Sequence, residues 1–256
     1  MTYKTLLLAV DGPVATITLN RPERRNALSL EALRELLDAV RTVGMSDARG
    51  VVLAAEGPVF SAGHDFGDLD GADLAAATEL VATCSATMLA LRQIPQVTIA
   101  RVHALATAAG CQLVAACDLA VAAEGVGFAL PGGKGGWFCT TPAVEVGRNI
   151  STKRLAELAF TGDPIDAATA LSWGLVNRVV PADELDAAVT DLLGRATRGS
   201  RSSKATGKAA MYRQLDLPIE EAYAYATTVM AEASQTPDAK EGIRAFLEKR
   251  HPEWDA

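Results

Sequence analysis

The sequence predicts an α/β protein, with a β/α body over residues 1–195 and a helical region over residues 196–256. Two observations carry this prediction. Apolar runs of strand length alternate with stretches of helical spacing, and glycine or proline punctuates each change. From Pro181 onward the strand-like runs stop and only helical patterns continue. With 256 residues, 49% of them hydrophobic and 21% charged, the chain is long enough to bury a sizeable core.

The elements follow in order. Residues 6–10 and 14–19 flank Asp11-Gly12-Pro13 and read as a hairpin. Asn20-Arg21-Pro22 breaks the second strand. Ser29 is placed to cap a helix in which Leu30, Leu33, Leu37 and Val40 fall at helical spacing and Glu31 sits in the first turn. The continuous apolar run 50–55 predicts a buried strand. Residues 74–91 predict a long helix stopped by Pro95, and residues 97–102 a strand. The alternation then repeats, with a helix near 109–117, strands over 119–123 and 126–130, a glycine-rich loop, and a helix from Pro142. Ser151 is placed to cap a helix over 152–161 that Gly162 ends. Residues 166–173 predict another helix, ended by Gly174, before a strand over 176–180. The Ser/Arg-rich stretch 198–204 reads as a loop, and helices over 218–233 and 237–249 close the chain. Their amphipathic pattern needs a surface to dock on, either the body or a neighbouring subunit.

Composition excludes several classes of function. The net charge is −7 and no dense Lys/Arg stripe with interleaved aromatics is present, so nucleic acid is not an expected partner. Cys84, Cys111, Cys117 and Cys139 form no C-x-x-C pair and read as reduced, packed thiols, which sets the expectation of a cytoplasmic location. The first apolar run is too short for a signal segment, and Asp118 interrupts the stretch 113–123, so no membrane span is expected. No His/Cys/Asp/Glu cluster has metal-ligand spacing, so no metal is expected. Pro131-Gly132-Gly133-Lys134-Gly135-Gly136 lacks the Ser or Thr that a phosphate loop requires after its lysine. It reads instead as a flexible wall able to move on ligand binding.

Two small-residue turns are the candidate site. Phe60-Ser61-Ala62-Gly63-His64-Asp65 and Ala108-Ala109-Gly110-Cys111-Gln112 each follow a strand-like run and each leads toward a helical pattern. Brought together, such turns aim two backbone N–H groups at one point, the geometry that stabilises charge developing on a carbonyl oxygen.

Five ordered segments resemble the crotonase (enoyl-CoA hydratase/isomerase) superfamily. They are the opening motif from Leu19 through Asn26-Ala27-Leu28, the first turn, the segment from Val102-His103-Ala104-Leu105 through the second turn to Cys117-Asp118, Phe160-Thr161-Gly162-Asp163-Pro164-Ile165, and the stretch 170–180. A narrower resemblance is to the enoyl-CoA hydratase domain-containing protein 3 branch. It runs through Gly63-His64-Asp65, the second turn, Phe138-Cys139 with Thr141-Pro142, and the tail from Glu241-Gly242-Ile243 to Trp254. The resemblance implies a spiral of repeated ββα units with a C-terminal helical region, assembled as a homotrimer or hexamer. It implies an acyl-CoA or enoyl-CoA ligand, with coenzyme A part of the substrate and no separate cofactor. By position, the backbone N–H groups of His64 and Ala109 would form the oxyanion hole. Arg24, Arg25 and Ala27 would lie near the nucleotide end of the coenzyme. Ala62, Asp65, Phe66, Gly67 and Gly110 would line the ligand, and Phe246 and Lys249 would reach it from the tail.

The acid–base half departs from that pattern. The two glutamates of family hydratases fall at Gln112 and Gly132, neither of which exchanges a proton near pH 7. A positioned acid–base group contributes ~10²–10⁴-fold to rate, so their loss weakens a plain hydratase reading. Three readings follow: an atypical hydratase or isomerase, a non-catalytic acyl-CoA binder or regulator, and a thioester hydrolase or decarboxylase using the same oxyanion hole. Restoring both carboxylates, by Gln112→Glu with Gly132→Glu, is expected to raise hydratase activity. Gln112 reads either as a partner for water or ligand or as a neutral packing substitute. The His64 imidazole titrates in the right range for a replacement base, although the role implied at that position belongs to its backbone. His103 reads as structural, His251 as exposed, Cys139 as packed, Glu145 as lying on a solvated helical face, and Asp65 as a helix cap.

Overall fold

The computed structural model describes residues 2–254. A six-stranded sheet runs in the order β1-β2-β3-β4-β6-β9. Strands β1 (Leu6–Asp11) and β2 (Val14–Leu19) form the antiparallel hairpin, with Leu8 opposite Ile17. From β2 onward the pairing is parallel, through β3 (Gly50–Ala55), β4 (Val97–Val102), β6 (Leu119–Ala123) and β9 (Arg178–Val180). Parallel neighbours need a long crossover, and helices supply it. These are α1 (Leu30–Gly44), α2 (Leu74–Gln93) and α3 (Ala109–Ala116). All six residues of β3 are buried, as expected for a parallel strand covered on both faces. Ser29 accepts a hydrogen bond from the Ala32 N–H at the start of α1, so the predicted cap forms.

A second sheet gives the repeat its shape. Strands β5 (Ala106–Thr107), β7 (Gly127–Ala129) and β8 (Ile165–Asp166) pair in the order β5-β7-β8. Two single-residue pairings, Leu28 with His64 and Ser61 with Ala106, extend that ladder. Each turn of the chain therefore contributes one segment to the large sheet and one to the small sheet before a helix returns it. This is the ββα spiral. Two-residue strands such as β5 and β8 are too short to leave a periodic signal in the sequence.

Beyond β7 come α4 (Thr140–Val146), α5 (Thr152–Thr161), α6 (Ala167–Trp173) and α7 (Leu185–Thr197), then α8 (Arg201–Gln214), α9 (Ile219–Ala233) and α10 (Pro237–Glu248). The loop expected over 198–204 is in part helix, because α8 begins at Arg201. The Ser200 hydroxyl caps it by accepting the Ser203 N–H at 2.9 Å, and it also bonds Asp238. Ser151 stands at the N-cap of α5 without a side-chain bond.

The first helix of the tail docks on the chain's own body through a buried polar network. Lys208 Nζ donates to the carbonyls of Leu91 and Gln96 at 2.9 and 2.8 Å and pairs with Asp118 at 2.8 Å. The Tyr212 hydroxyl donates to Asp118 at 2.7 Å, and the Arg92 guanidinium lies 4.7 Å from the Tyr212 ring centre. Burial pushes the Lys208 amine below its ordinary pKa, against the pull of Asp118. α2 is 20 residues long and apolar enough by composition to cross a membrane. Here it buries Leu80, Cys84, Met88 and Leu91 in the protein core.

Candidate functional site

The two turns predicted as a site are locked together. The amides of Phe60 and Ser61 bond the Leu105 carbonyl, and the Thr107 amide bonds the Ser61 carbonyl at 3.0 Å. The Thr107 hydroxyl donates to the Ala62 carbonyl at 3.1 Å. Glycine permits the close approach. A Cβ on Gly110 would stand 2.5 Å from the Ser61 carbonyl oxygen, and one on Gly63, whose φ is +87°, would stand 2.8 Å from the Ala108 Cβ. Ala108 itself has φ 49° and ψ −120°, a conformation costly for any residue with a Cβ, and it is held there where α3 begins.

From Phe60 to Asp65, every backbone N–H except that of His64 is bonded, those of Phe60, Ser61, Ala62 and Asp65 to carbonyls outside the turn and that of Gly63 to the Ser61 hydroxyl within it. The Ala109 N–H, at the start of α3, also has no partner, because the first amides of a helix lie beyond the reach of its own carbonyls. The Ala109 nitrogen lies 3.3 Å from where a Cβ on Gly63 would stand. His64 and Ala109, the residues that carry these two unbonded amides, both line one cavity of about 320 Å³.

The opening motif acts as a collar around the first turn. Asn26, at φ 50°, donates through Nδ2 to the carbonyls of Glu56 and Val59 at 2.7 and 2.8 Å, and its Oδ1 accepts the Arg21 N–H at 2.8 Å. The Asn26 carbonyl accepts the Ser61 hydroxyl, and the Arg25 carbonyl accepts the Ala62 N–H. Asp65 caps the short helical turn Phe66–Asp68 by accepting the Gly67 N–H at 3.1 Å, as the sequence predicted. It also pairs with Arg24 at 3.1 Å and Arg21 at 3.4 Å. Burial opposes the Asp65 charge, but the Gly67 N–H and the two guanidiniums hold its carboxyl below the usual range.

The expected ligand residues divide into three groups. Ala62, His64, Phe66 and Ala109 line the cavity. Arg24, Asp65 and Gly67 line a shallow groove beside it, also reached by Arg34. Arg25, Ala27, Gly110, Gln112, Phe246 and Lys249 line neither. Phe246 is 82% exposed on α10, so within one chain the tail does not reach the cavity. Gln112 is buried on α3 with its Oε1 3.9 Å from the Cys84 Sγ.

The opposite wall is the glycine-rich segment, which contains the helical turn Pro131–Gly135, followed by Trp137, Phe138 and Cys139. No local sequence signal points to Trp137, whose ring centre lies 5.5 Å from that of His64 and 6.2 Å from that of Phe66. Both nitrogens of the His64 ring are buried; neither makes a hydrogen bond of good geometry, and the Leu28 carbonyl is the backbone group that acts on the ring. Burial lowers the imidazole pKa, with the Leu28 carbonyl and then Asp68 pulling the other way. Cys139 is packed, as expected. Its Sγ accepts the Gly132 N–H at 3.3 Å, and burial raises the thiol pKa.

Two sequence expectations fail here. Glu145 does not lie on a solvated face. It is buried and pairs with Arg92 at 2.8 Å, a partner on α2 that the local pattern of α4 could not reveal. A side chain at Gly132 has no room, since its Cβ would collide with the Trp137 carbonyl oxygen and stand 2.9 Å from the Cys139 Sγ. Restoring a glutamate there requires the backbone to move, so the double substitution is not a clean test of lost chemistry. His103 bonds the Gly57 carbonyl at 2.7 Å and His251 is exposed, both as expected. Among the described residues no group of three or more His, Cys, Asp or Glu is placed to hold a metal ion.

Comparison with known proteins agrees with this architecture. The family model for enoyl-CoA hydratase/isomerase matches residues 10–256. The rat mitochondrial enoyl-CoA hydratase domain-containing protein 3 is 44% identical over 246 residues, spanning 95% of this chain and 82% of the relative. A crystal structure of enoyl-CoA hydratase from Mycobacterium smegmatis superposes with a TM-score of 0.95 at 45% identity, covering 98% of this chain and 99% of that one. The human enoyl-CoA hydratase domain-containing protein 3 gives a TM-score of 0.95 at 39% identity, covering 98% and 100%. The rat, mouse and human relatives are named mitochondrial, which overturns the expectation of a cytoplasmic location. Free thiols report a reducing environment, and such an environment does not single out one compartment.

Proposed function

Because the chain belongs to the enoyl-CoA hydratase/isomerase family, we propose that it binds an acyl-CoA or enoyl-CoA thioester and polarises its carbonyl with the backbone N–H groups of His64 and Ala109. The observation that carries this reading is the pair of unbonded amides held on one cavity wall by interlocked turns. Fixed donors aimed at a developing oxyanion are worth on the order of 10²–10³ in turnover each. The reading includes an apolar acyl group of short or medium length, because Val81, Phe66, Trp137 and Phe138 line the cavity and no charged side chain does. It also includes a hydratase- or isomerase-type enolate reaction without the family's glutamate pair, since Gln112 is turned to Cys84 and Gly132 carries no side chain. Self-association as a trimer or hexamer fits the exposed Tyr223, Met230, Phe246 and Leu247 of α9 and α10.

Calorimetry with crotonyl-CoA and longer 2-enoyl-CoAs, paired with the loss of the conjugated enoyl absorbance, tests the reading. Binding with turnover supports an enzyme. Absence of binding overturns the thioester reading. The charge-free wall favours a second reading, a thioester binder without turnover, and binding with unchanged absorbance and no release of free thiol would select it.

A further inference from the structure

We propose that the His64 imidazole is the proton-transfer group of this site, taking and returning a proton at the α-carbon of the bound thioester. This rests on the thioester reading above and adds the residue that performs the chemistry. The cavity wall carries two ionisable side chains among the described residues, His64 and Cys139. The Cys139 thiol is occupied by the Gly132 N–H and is too weak an acid to serve near neutrality.

The direction of the His64 side chain supports the proposal. Its ring centre lies 5.5 Å from that of Trp137, and both residues line the cavity together with Gly132, where the resemblance places the second glutamate of family hydratases. The backbone and side chain of one residue thus address two parts of one thioester, the N–H the carbonyl oxygen and the ring the adjacent carbon. Both ring nitrogens are buried and neither is held in a hydrogen bond of good geometry, although the Leu28 carbonyl acts on the ring, so the imidazole is not committed to a structural partner. Burial also keeps the imidazole neutral at pH 7, with a lone pair ready to accept a proton. The charge facing it is Asp68, whose carboxylate already accepts the Leu30 N–H at 2.6 Å. α2 and α3 present Val81 and Ala109 to the cavity, neither of which titrates.

The step balances without a co-reactant. An imidazole nitrogen takes the α-proton, and the C–H electron pair moves into the enolate, whose oxygen the two N–H groups hold. The imidazolium then returns the proton to the α-carbon, or to the γ-carbon in an isomerisation. In a hydration the same nitrogen takes a proton from water as oxygen bonds the β-carbon, and delivers it to the α-carbon. Trp137 lies against the ring, its centre 5.5 Å away, and follows the glycine-rich turn Pro131–Gly135.

Exchange at the α-carbon tests this directly. The full-length protein is incubated with hexanoyl-CoA in D₂O, deuterium incorporation is read by mass spectrometry, and binding is measured by calorimetry. The wild type is expected to exchange. His64→Gln keeps the backbone N–H and is expected to bind hexanoyl-CoA while its exchange falls by ~10²-fold or more. His64→Ala is expected to regain exchange on addition of free imidazole. Should the variants fail to fold, the wild-type pD profile decides, because exchange must fall as pD drops through a midpoint below the ordinary imidazole range. Undiminished exchange in His64→Gln, a flat pD profile, or binding without exchange in the wild type overturns the proposal while leaving the thioester reading intact. No binding by the wild type overturns the thioester reading itself.

Discussion

The first turn, residues 60–65, and the wall, residues 131–139, face each other across one cavity and are built in opposite ways. In the turn, Phe60 and Ser61 are fully buried, and five of its six amides bond to the protein. Its carbonyls at Ser61, Ala62 and Gly63 are bonded by Thr107 and Leu28, and Asn26 clamps the collar behind it. The wall has exposed glycines at 133, 135 and 136, a Trp137 that is 42% exposed, and a surface ion pair between Lys134 and Asp163. The difference separates two demands on one site. Donors that stabilise a transition state must be fixed before the charge develops, and backbone bonded on all sides provides that. A wall that fits an apolar acyl chain needs no fixed polar atom and gains from adapting to its ligand.

The sharpest way to break this contrast is to fill the contact between the turns. Gly110→Val places a branched side chain where a Cβ alone stands 2.5 Å from the Ser61 carbonyl oxygen and 2.7 Å from the Ser61 Cβ. Overpacking against backbone costs ~3 kcal/mol or more. For a chain of this size that lowers Tm by about 6–12 °C. A thermal melt close to that of the wild type would show that the turns are not locked as described.

Next in size is Asn26→Ala. It removes three partly buried hydrogen bonds and leaves an alanine at φ 50°, so a loss of ~2–3 kcal/mol is expected in urea unfolding. The loss of affinity for a thioester should exceed that of any single wall substitution. An Asn26→Ala protein with unchanged unfolding midpoint would place the rigidity of the turn elsewhere.

Acid should loosen the collar before the wall. The folded pKa of Asp65 is depressed, so its contribution is present above the ordinary carboxylate range and is lost as pH falls through about 4 toward the folded value. The effect is smaller than that of the two substitutions, because the Arg24 partner is half exposed. Unfolding midpoints measured from about pH 6 down to about pH 3 should fall less steeply in Asp65→Asn than in the wild type. Parallel slopes would remove Asp65 from the account.

The turn was more legible in the sequence than the wall, for a physical reason. Small residues after a strand-like run and a Ser cap at position 29 are local signals, and the structure returns them with the expected bonds. What escaped depends on partners far along the chain. Glu145 looked solvated until Arg92 of α2 closed on it, and Ser200 looked like loop until Asp238 of α10 joined it at the start of α8. Gly132 looked like a free position, although the Trp137 carbonyl fills its side-chain space. The direction of the His64 ring depends on Trp137 of the opposite wall, which no spacing rule couples to residue 64.

The smallest expected effect sharpens the comparison from the wall side. A Cβ on Gly135 meets nothing within 4 Å, and the residue is not in the left-handed region, so Gly135→Ala should change stability by no more than ~0.5 kcal/mol. The same methyl narrows the backbone conformers open to the wall. If the wall adapts through its glycines, the variant should bind a four-carbon acyl-CoA as the wild type does and an eight-carbon one more weakly. Calorimetry with the two ligands on both proteins measures that ratio. An unchanged ratio at unchanged Tm would mean that fitting occurs by rotation of Trp137 and Phe138, and that the wall backbone is as fixed in use as the turn it faces.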